Sequence, residues 1–399
     1  MYKPAKKFLE KYSSVLVNFA LGGGKGIKKK EVVYLQLDIA ALPLALEVYK
    51  RILENEAYPI LQISDEEFTK IFFALAKDHQ LEFFPKKYHK SLIDTFDHRI
   101  YLYGDKDPFY LKYVDPKKII KVNKKQTLIR KWMEKKEDAG KLTWTIALYG
   151  TNGLAKEAKL SEKAYWEVIE KACFLNHKNP VSKWREVSQT INNLQKKLTE
   201  LKIHKLHITA KNTDLWITIG EKRRWMGGGG RNIPSFEIFT SPDWRGTRGK
   251  IYFDFPLYRY GNIIKNIYLE FEKGKVRKAK AEKNEKLLIQ LIKQKNANKI
   301  GEFSLTDKRF SKIDKFMATT LFDENFGGEW GNTHLALGTS YNEAYDGDVN
   351  MLSEIDLEDI GFNKSPEHTD IIMKQNRVVE AIWKNGKRKI IYKDGEFCV

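Results

Sequence analysis

An α/β N-terminal domain followed by a mainly β, α+β C-terminal domain is the architecture that this sequence predicts, on three observations. Strand-like runs alternate with helical runs as far as Leu201, the pattern of parallel β-α-β units. After Lys202 the texture changes to short alternating runs separated by glycine turns, the pattern of antiparallel hairpins. The length, 399 residues with 42% hydrophobic content, suffices for about two globular cores. The expected domains are therefore 1–202 and 203–399.

The elements follow in order. Phe8, Leu9, Tyr12, Val15, Leu16 and Phe19 recur at helical spacing, and Glu10 and Lys11 interrupt the smooth apolar run that an export signal needs. Gly22-Gly23-Gly24-Lys25-Gly26 follows that helix and precedes a strand over 31–37. A phosphate-binding loop has the opposite context, so these glycines read as a turn. Residues 41–53 read as a helix whose covered face carries Leu42, Leu44, Ala45, Val48, Tyr49 and Ile52. A strand over 58–63 leads to a Ser64-Asp65 cap and a helix over 66–76. Residues 98–103 and 142–149 read as strands, with 121–132 partly helical between them and 150–174 largely helical after them. The first β-α turn holds no Gly-x-Gly-x-x-Gly, so no dinucleotide site is implied.

Asn179-Pro180 breaks the chain. A long amphipathic helix over 182–201 follows, with Trp184, Val187, Ile191, Leu194 and Leu198 along one face. In the second domain, 206–210 and 214–219 pair as a hairpin, 227–230 is a four-glycine turn, and 250–255, 267–272 and 275–279 continue as strands. Residues 284–294 are helical, and 378–383 and 389–392 form a hairpin across Asn385-Gly386.

Composition excludes several classes. No run of 18 apolar residues exists, so no transmembrane helix is expected. Two cysteines, Cys173 and Cys398, stand far apart, which argues against a disulfide scaffold or zinc ribbon and for a reducing, cytoplasmic setting. The charge is +19, from 71 Lys+Arg against 52 Asp+Glu. The lysines fall in short groups such as 28–30, 117–118 and 124–125, mostly at element ends. That is a lysine-rich surface rather than a phosphate-binding face, so nucleic acid and membrane are not the expected partners.

The chemistry gathers in four stretches of the second domain. Glu237 lies among Phe236, Ile238 and Phe239 between two prolines; a carboxylate in apolar company needs a partner or a metal, although an edge-strand surface acid gives the same pattern. Glu302 sits between Ile300, Phe303 and Leu305, where a charge at a helix end is the plainer alternative. The segment 321–341, LFDENFGGEWGNTHLALGTSY, holds Asp323, Glu324, Glu329, His334 and Tyr341 around a glycine-rich loop. A satisfied His–Glu pair would account for it alone, and Tyr341 would lie close to two turns beyond His334 if the segment were helical. His368 and Asp370, two apart on a strand, project from one face. Together these donors suit two metal ions held by a bridging carboxylate and several terminal ligands. Mixed carboxylate and imidazole ligation fits Zn, Co or Mn, with Mg admissible.

The stretches NIPSFEIFTSP, IGEF, LFDEN…THLALGTSY and HTDII resemble, in order and separation, the ligand motifs of the thermophilic metallo-aminopeptidase family, the aminopeptidase S, aminopeptidase T and PepS type. The likeness extends to 213–231, to 268–282 and to overall length, whereas the first domain is similar only in its β-α texture. It implies a dinuclear aminopeptidase that removes N-terminal residues from short peptides through a metal-bridging water. It implies that Glu237 binds one metal, that Glu302 bridges both, and that Glu324, His334, His368 and Asp370 complete the pair; Glu302 or another carboxylate of the site would shuttle the proton. Tyr341 would stand by the reacting carbonyl, and the enzyme would be a homodimer with enclosed sites. One departure is a lengthened loop at Glu329-Trp330-Gly331, which sets Glu329 against Glu324 as ligand; Glu324 is preferred.

Two other readings stay open at this level. One is a basic nucleic-acid-binding protein with a non-catalytic metal site, supported locally by Arg223-Arg224-Trp225 and Trp244-Arg245. The other is a folded relative whose altered loop has cost it activity.

Overall fold

The computed structural model describes residues 2–259 and 261–399. The chain forms two compact units, one of Met1–Ser188 with Gly229–Ser235, the other of Gln189–Gly228 with Phe236–Val399. The change of texture at Lys202 marks the end of the long helix Pro180–Glu200; the units divide earlier, within that helix, and the first unit recruits a short later segment.

The first unit is built on a five-stranded parallel sheet of order β2-β1-β3-β4-β8. Its strands are β1 (Val32–Asp38), β2 (Tyr58–Ser64), β3 (His98–Tyr103), β4 (Thr143–Leu148) and the returning β8 (Asn232–Ile233). Val33, Leu35, Leu37, Ile100, Leu102, Ala147 and Leu148 are buried, as expected where helices cover both faces of a parallel sheet. Asp65 caps the helix Glu66–Leu75 by accepting from the Glu67 N–H. The glycine segment is a turn: Gly22, Gly23 and Gly24 have positive φ, and the Gly22 N–H donates to Thr143 Oγ1 at 3.0 Å. That hydroxyl also meets His98 Nδ1 at 2.7 Å, and His98 Nε2 lies 2.8 Å from Glu31.

One expectation fails here. In the helix Leu42–Glu54, Leu44, Ala45, Val48 and Ile52 are buried, but Leu42 and Tyr49 are exposed together with Leu46 and Leu53. The edge strand β2 exposes Tyr58, Leu61 and Ile63, and the helix Glu66–Leu75 exposes Phe68, Ile71, Phe72 and Leu75. Helical spacing put Leu42 and Tyr49 on the covered face, but the buried stripe is narrower and the helix is apolar outside it as well. Further helices, 78–82 and 86–95, and the two ends of Pro116–Asp138 beyond the expected 121–132, run through stretches whose pattern is too polar to announce them.

The second unit holds two antiparallel sheets. The larger has the order β11-β12-β10-β6-β5-β17-β18-β19, with β13 beside β12. Its strands are β5 (Lys205–Ala210), β6 (Thr213–Thr218), β10 (Asp243–Phe253), β11 (Leu257–Arg259), β12 (Asn262–Glu272), β13 (Lys275–Lys283), β17 (Arg377–Ile382), β18 (Arg388–Lys393) and β19 (Glu396–Phe397). The smaller has the order β16-β15-β14-β9-β7, from β7 (Met226–Gly227), β9 (Glu237–Thr240), β14 (Ile300–Thr306), β15 (Asn332–Gly338) and β16 (His368–Met373). Every residue of β9, β14 and β15 is buried. A sheet covered on both faces normally carries only apolar side chains, so the charged residues on it call for a reason.

Candidate metal centre

The register of the small sheet assembles the donors. On β15, His334, Ala336 and Gly338 share one face. His334 pairs with Ser304 of β14 and Ile372 of β16, Ala336 lies between Glu302 and Asp370, and Gly338 pairs with His368. Small side chains in the middle strand leave the space that the flanking acids occupy. Glycine is required at 338: its φ is +118°, and a Cβ there would come within 2.0 Å of the Glu367 carbonyl oxygen. Glu237 enters from β9, where it pairs with Thr306.

Two triads of donors result. Glu237, Glu302 and His334 form one, and Glu302, His368 and Asp370 the other, with the donor atoms of each triad within 4.8 Å of one another. Glu302 belongs to both. Its Oε1 lies 3.1 Å from His334 Nε2, and its Oε2 lies 3.4 Å from His368 Nε2. His334 Nε2 also faces Glu237 Oε2 at 3.3 Å, and His368 Nε2 faces Asp370 Oδ1 at 3.3 Å.

Electrostatics couple these groups. Burial alone would raise Glu302, but hydrogen bonds with His334 and His368 outweigh it and hold the carboxyl below its usual range. Burial raises Glu237, against the pull of His334. Glu324 is pushed well up by burial and then by the carboxylates of Glu237 and Asp370. Burial opposes ionisation of Asp370 too, but His368 beside it wins and brings it down to about 2. Both histidines are raised well above the ordinary imidazole value: burial works against their charge, and the surrounding carboxylates overcome it.

The loop between the helix Thr320–Asp323 and β15 places its two acids differently. Glu324 is buried and feels Glu237, Glu302, His334 and Asp370, whereas Glu329 is exposed. Tyr341 follows the end of β15, a strand rather than the helix allowed for, and packs edge-on against His368 with ring centroids 5.0 Å apart. Its phenol is raised well above its ordinary value by burial and by Glu302, Asp370, Glu237 and Glu324.

Three positioning residues carry weight that the sequence did not assign them. Asp323 is buried and accepts from the Met317 and Thr319 N–H groups at 2.7 and 3.1 Å. Asn325 accepts from the Phe236 N–H at 2.6 Å and so ties the loop to the start of β9. Asn332 donates to the carbonyls of Glu324 and Phe326. Their one sequence signal is polarity without charge pairing beside the candidate acids.

Does this set fit a cation? The triads hold three carboxylates (Glu237, Glu302, Asp370) and two imidazoles (His334, His368), and Glu324 lies outside both triads but close enough to feel their charges. Even with both imidazoles protonated, the ionised triads carry two minus three, a surplus of one negative charge, and burial with the neighbouring acids opposes ionisation of Glu324 beside them. Buried anions in excess of their proton donors are costly, and divalent cations relieve that cost. His334 is satisfied on one side only, since its buried Nδ1 has no hydrogen-bond partner. Oxygen and imidazole nitrogen are suitable ligands for borderline divalent ions. The residues fit a metal.

The aromatic–basic clusters have other employment. Arg223 and Trp225 are buried; Arg223 donates to the carbonyls of Glu221, Ser241 and Ile360. Arg245 is paired with Asp243, and Lys299 sits over the Trp244 ring. Neither stretch offers bases a stacking platform.

The sequence pattern of the family described as thermophilic metalloprotease (M29) matches residues 5–397. The chain is 28% identical to aminopeptidase PepS of Streptococcus thermophilus, over 99% of this chain and 98% of that one. It is 29% identical to aminopeptidase AmpS of Bacillus subtilis (strain 168), over 84% and 85%. It is 26% identical to aminopeptidase T of Thermus thermophilus, over 99% of each. The solved structure of wild-type AmpT from Thermus thermophilus shares the fold, with TM-score 0.85 at 24% identity over 99% of this chain and 100% of that one.

Proposed function

The chain belongs to the thermophilic metalloprotease family, and from that premise we propose that it is a dinuclear metal-dependent aminopeptidase acting on short peptides with a free N-terminus. The observation that carries this reading is Glu302, whose two oxygens face different histidines at the junction of two donor triads. Glu237, Glu324 and His334 would hold one ion, His368 and Asp370 the other, and Glu302 both. Zn, Co and Mn suit this donor set, with Mg admissible. When bound, a pair of divalent ions polarises the scissile carbonyl and makes water nucleophilic near neutral pH.

The protein's own groups do the rest. Glu302, or Glu324 beside it, takes the proton from the attacking water and returns it to the leaving amine. Tyr341 keeps its proton, because the surrounding carboxylates oppose its ionisation, and the phenol O–H donates to the oxyanion that develops. A free, neutral α-amine could serve as a further ligand of one bound ion, which would account for attack at free N-termini.

Two further features belong to this proposal. A homodimer is supported by the exposed apolar residues of the helices Leu42–Glu54 and Glu66–Leu75 and of the edge strand β2, since exposed apolar surface marks interaction sites. A cytoplasmic setting is supported by two cysteines that are both free.

The test is release of free amino acids from a peptide panel, with chelator and after re-addition of Zn, Co, Mn or Mg. Chelator-sensitive, metal-rescued release from free but not N-acetylated peptides is expected. Folded protein that releases nothing with any of the metals would sink the reading.

A further inference from the structure

The second unit contains a half-open cavity of about 440 Å³ that none of the six candidate ligands lines. Its walls are the end of the helix Pro180–Glu200 with the turn after it, the loop following β6, and the β17–β18 turn. It lies behind the small sheet. Trp225 in its wall packs edge-on against Phe303, with centroids 6.2 Å apart. Phe303 neighbours Glu302 on β14, and alternation puts the two side chains on opposite faces.

The lining is of two kinds. Ile203, Ile219, Trp225 and Trp383 provide an apolar surface. The indole of Trp383 is fixed by donation to the Leu201 carbonyl at 2.6 Å. Around this surface stand Lys202, Lys222, Arg223 and Lys384 against one acid, Glu221, so the lining charge is four minus one, or +3. Lys202 is committed to Asp346 and Lys384 to Glu221, each at about 2.7–2.8 Å. Arg223 is spent on three carbonyls. Lys222 has no carboxylate partner among the described residues, and it is held in the rare left-handed conformation at φ +49°. Its carbonyl accepts from the Asp346 N–H at 2.7 Å, which fixes that turn. The ring of His204, held neutral by burial and by the lysines at 205 and 384, adds an uncharged polar edge.

The Lys222 ammonium stands 6.0 Å from the centroid of the Tyr345 ring, a contact that leaves its charge unneutralised. An apolar surface of aromatic rings beside an ammonium with no carboxylate partner among the described residues recognises a particular chemistry. We propose that this cavity binds a small organic carboxylate with an apolar body, its carboxylate on Lys222 and its apolar body against Trp225 and Trp383. Two sources share that chemistry: simple aryl or alkyl carboxylates, and free apolar amino acids. The second source is the product of the proposed aminopeptidase and rests on that reading, whereas the carboxylate site itself does not.

Calorimetric titration of the full chain with L-phenylalanine, 3-phenylpropionate and L-phenylalaninamide tests it. The measurement is made on the Glu302→Gln variant with chelator present, so that neither turnover nor a metal-bound ligand contributes. Saturable one-to-one binding of a carboxylate probe is expected, with the amide bound at least tenfold more weakly. Lys222→Gln should weaken carboxylate binding roughly tenfold, the scale of one charge-assisted hydrogen bond. Trp383→Phe should weaken it with the charge retained. Binding of both carboxylates indicates the general site, and binding of L-phenylalanine alone indicates a product site. No saturable binding of either carboxylate, equal affinity for the amide, or binding indifferent to Lys222→Gln in a variant of unchanged circular dichroism would overturn the proposal. Because binding is read without catalysis, an inactive enzyme with a working cavity is distinguished from the reverse.

Discussion

Both units gather acids on a sheet, and the two gatherings differ in one respect. At the carboxyl ends of the parallel strands, Asp38 accepts from the Tyr101 and Ser64 hydroxyls and from the Gly104 N–H. Asp105 accepts from the Tyr103 hydroxyl, and Glu66 from the N–H groups of Lys106 and Asp107. Fixed protein donors thus reach the acids of that cluster. On the small antiparallel sheet, three carboxylates share two imidazoles, with Glu324 close by in the adjoining loop. Acids alone do not mark a metal centre; a buried surplus of acids over donors does.

The sharpest way to break the comparison is to neutralise one acid in each cluster. Glu302→Gln should lower peptidase activity by roughly a thousandfold. Asp38→Asn should leave turnover within about twofold and instead lower stability by about 1–2 kcal/mol. Similar losses of activity in both variants, each shown to be folded, would erase the distinction.

Tyr341→Phe tests the rim of the second cluster. Turnover should fall about a hundredfold, the scale for one oxyanion donor, with KM and bound metal little changed. Loss of metal together with activity would instead make Tyr341 a structural support.

Chelation should then affect stability as well as rate. Withdrawing metal held at a hundredfold its dissociation constant removes about 2.7 kcal/mol and lowers the melting temperature by roughly 5 °C. Glu302→Gln should abolish most of that response.

The smallest effect is expected in the first unit. Asp105 is pushed up to about 7, first by burial and then by Asp38, Glu66 and Asp107, against the pull of the Tyr103 hydroxyl. Its folded value lies above its ordinary 3.8, so the stability it contributes is full below that value and lost as pH rises through about 7. Asp105→Asn should therefore match the parent near pH 4 and exceed it by about 2 kcal/mol near pH 8, a figure discounted for partial exposure. Denaturant unfolding across that range checks it, and parallel curves for the two proteins would remove Asp105 from the account.

Much of this was legible in the sequence because it is local. Alternation of strand and helix gives the parallel sheet, since side-chain period is a property of neighbouring residues. His368 and Asp370 face one way because two residues apart on a strand always do. The identities of the donors, and the four stretches that carry them, are equally local.

Other features depended on distant partners. Whether Glu324 or Glu329 turns inward was settled by Asn325, which ties the loop to the start of β9, and by Asn332 of β15, which donates to the carbonyls of Glu324 and Phe326. That Leu42 and Tyr49 face outward depended on how wide a stripe of the helix the rest of the chain covers. That Glu302 presents one oxygen to each histidine followed from the register of three strands, with Ala336 and Gly338 making room between them. Sequence by itself determined which groups carry the chemistry and how neighbours in the chain face. Only the tertiary structure decided which groups meet, because strand register and loop anchoring are set by hydrogen bonds and packing between segments that no local period connects.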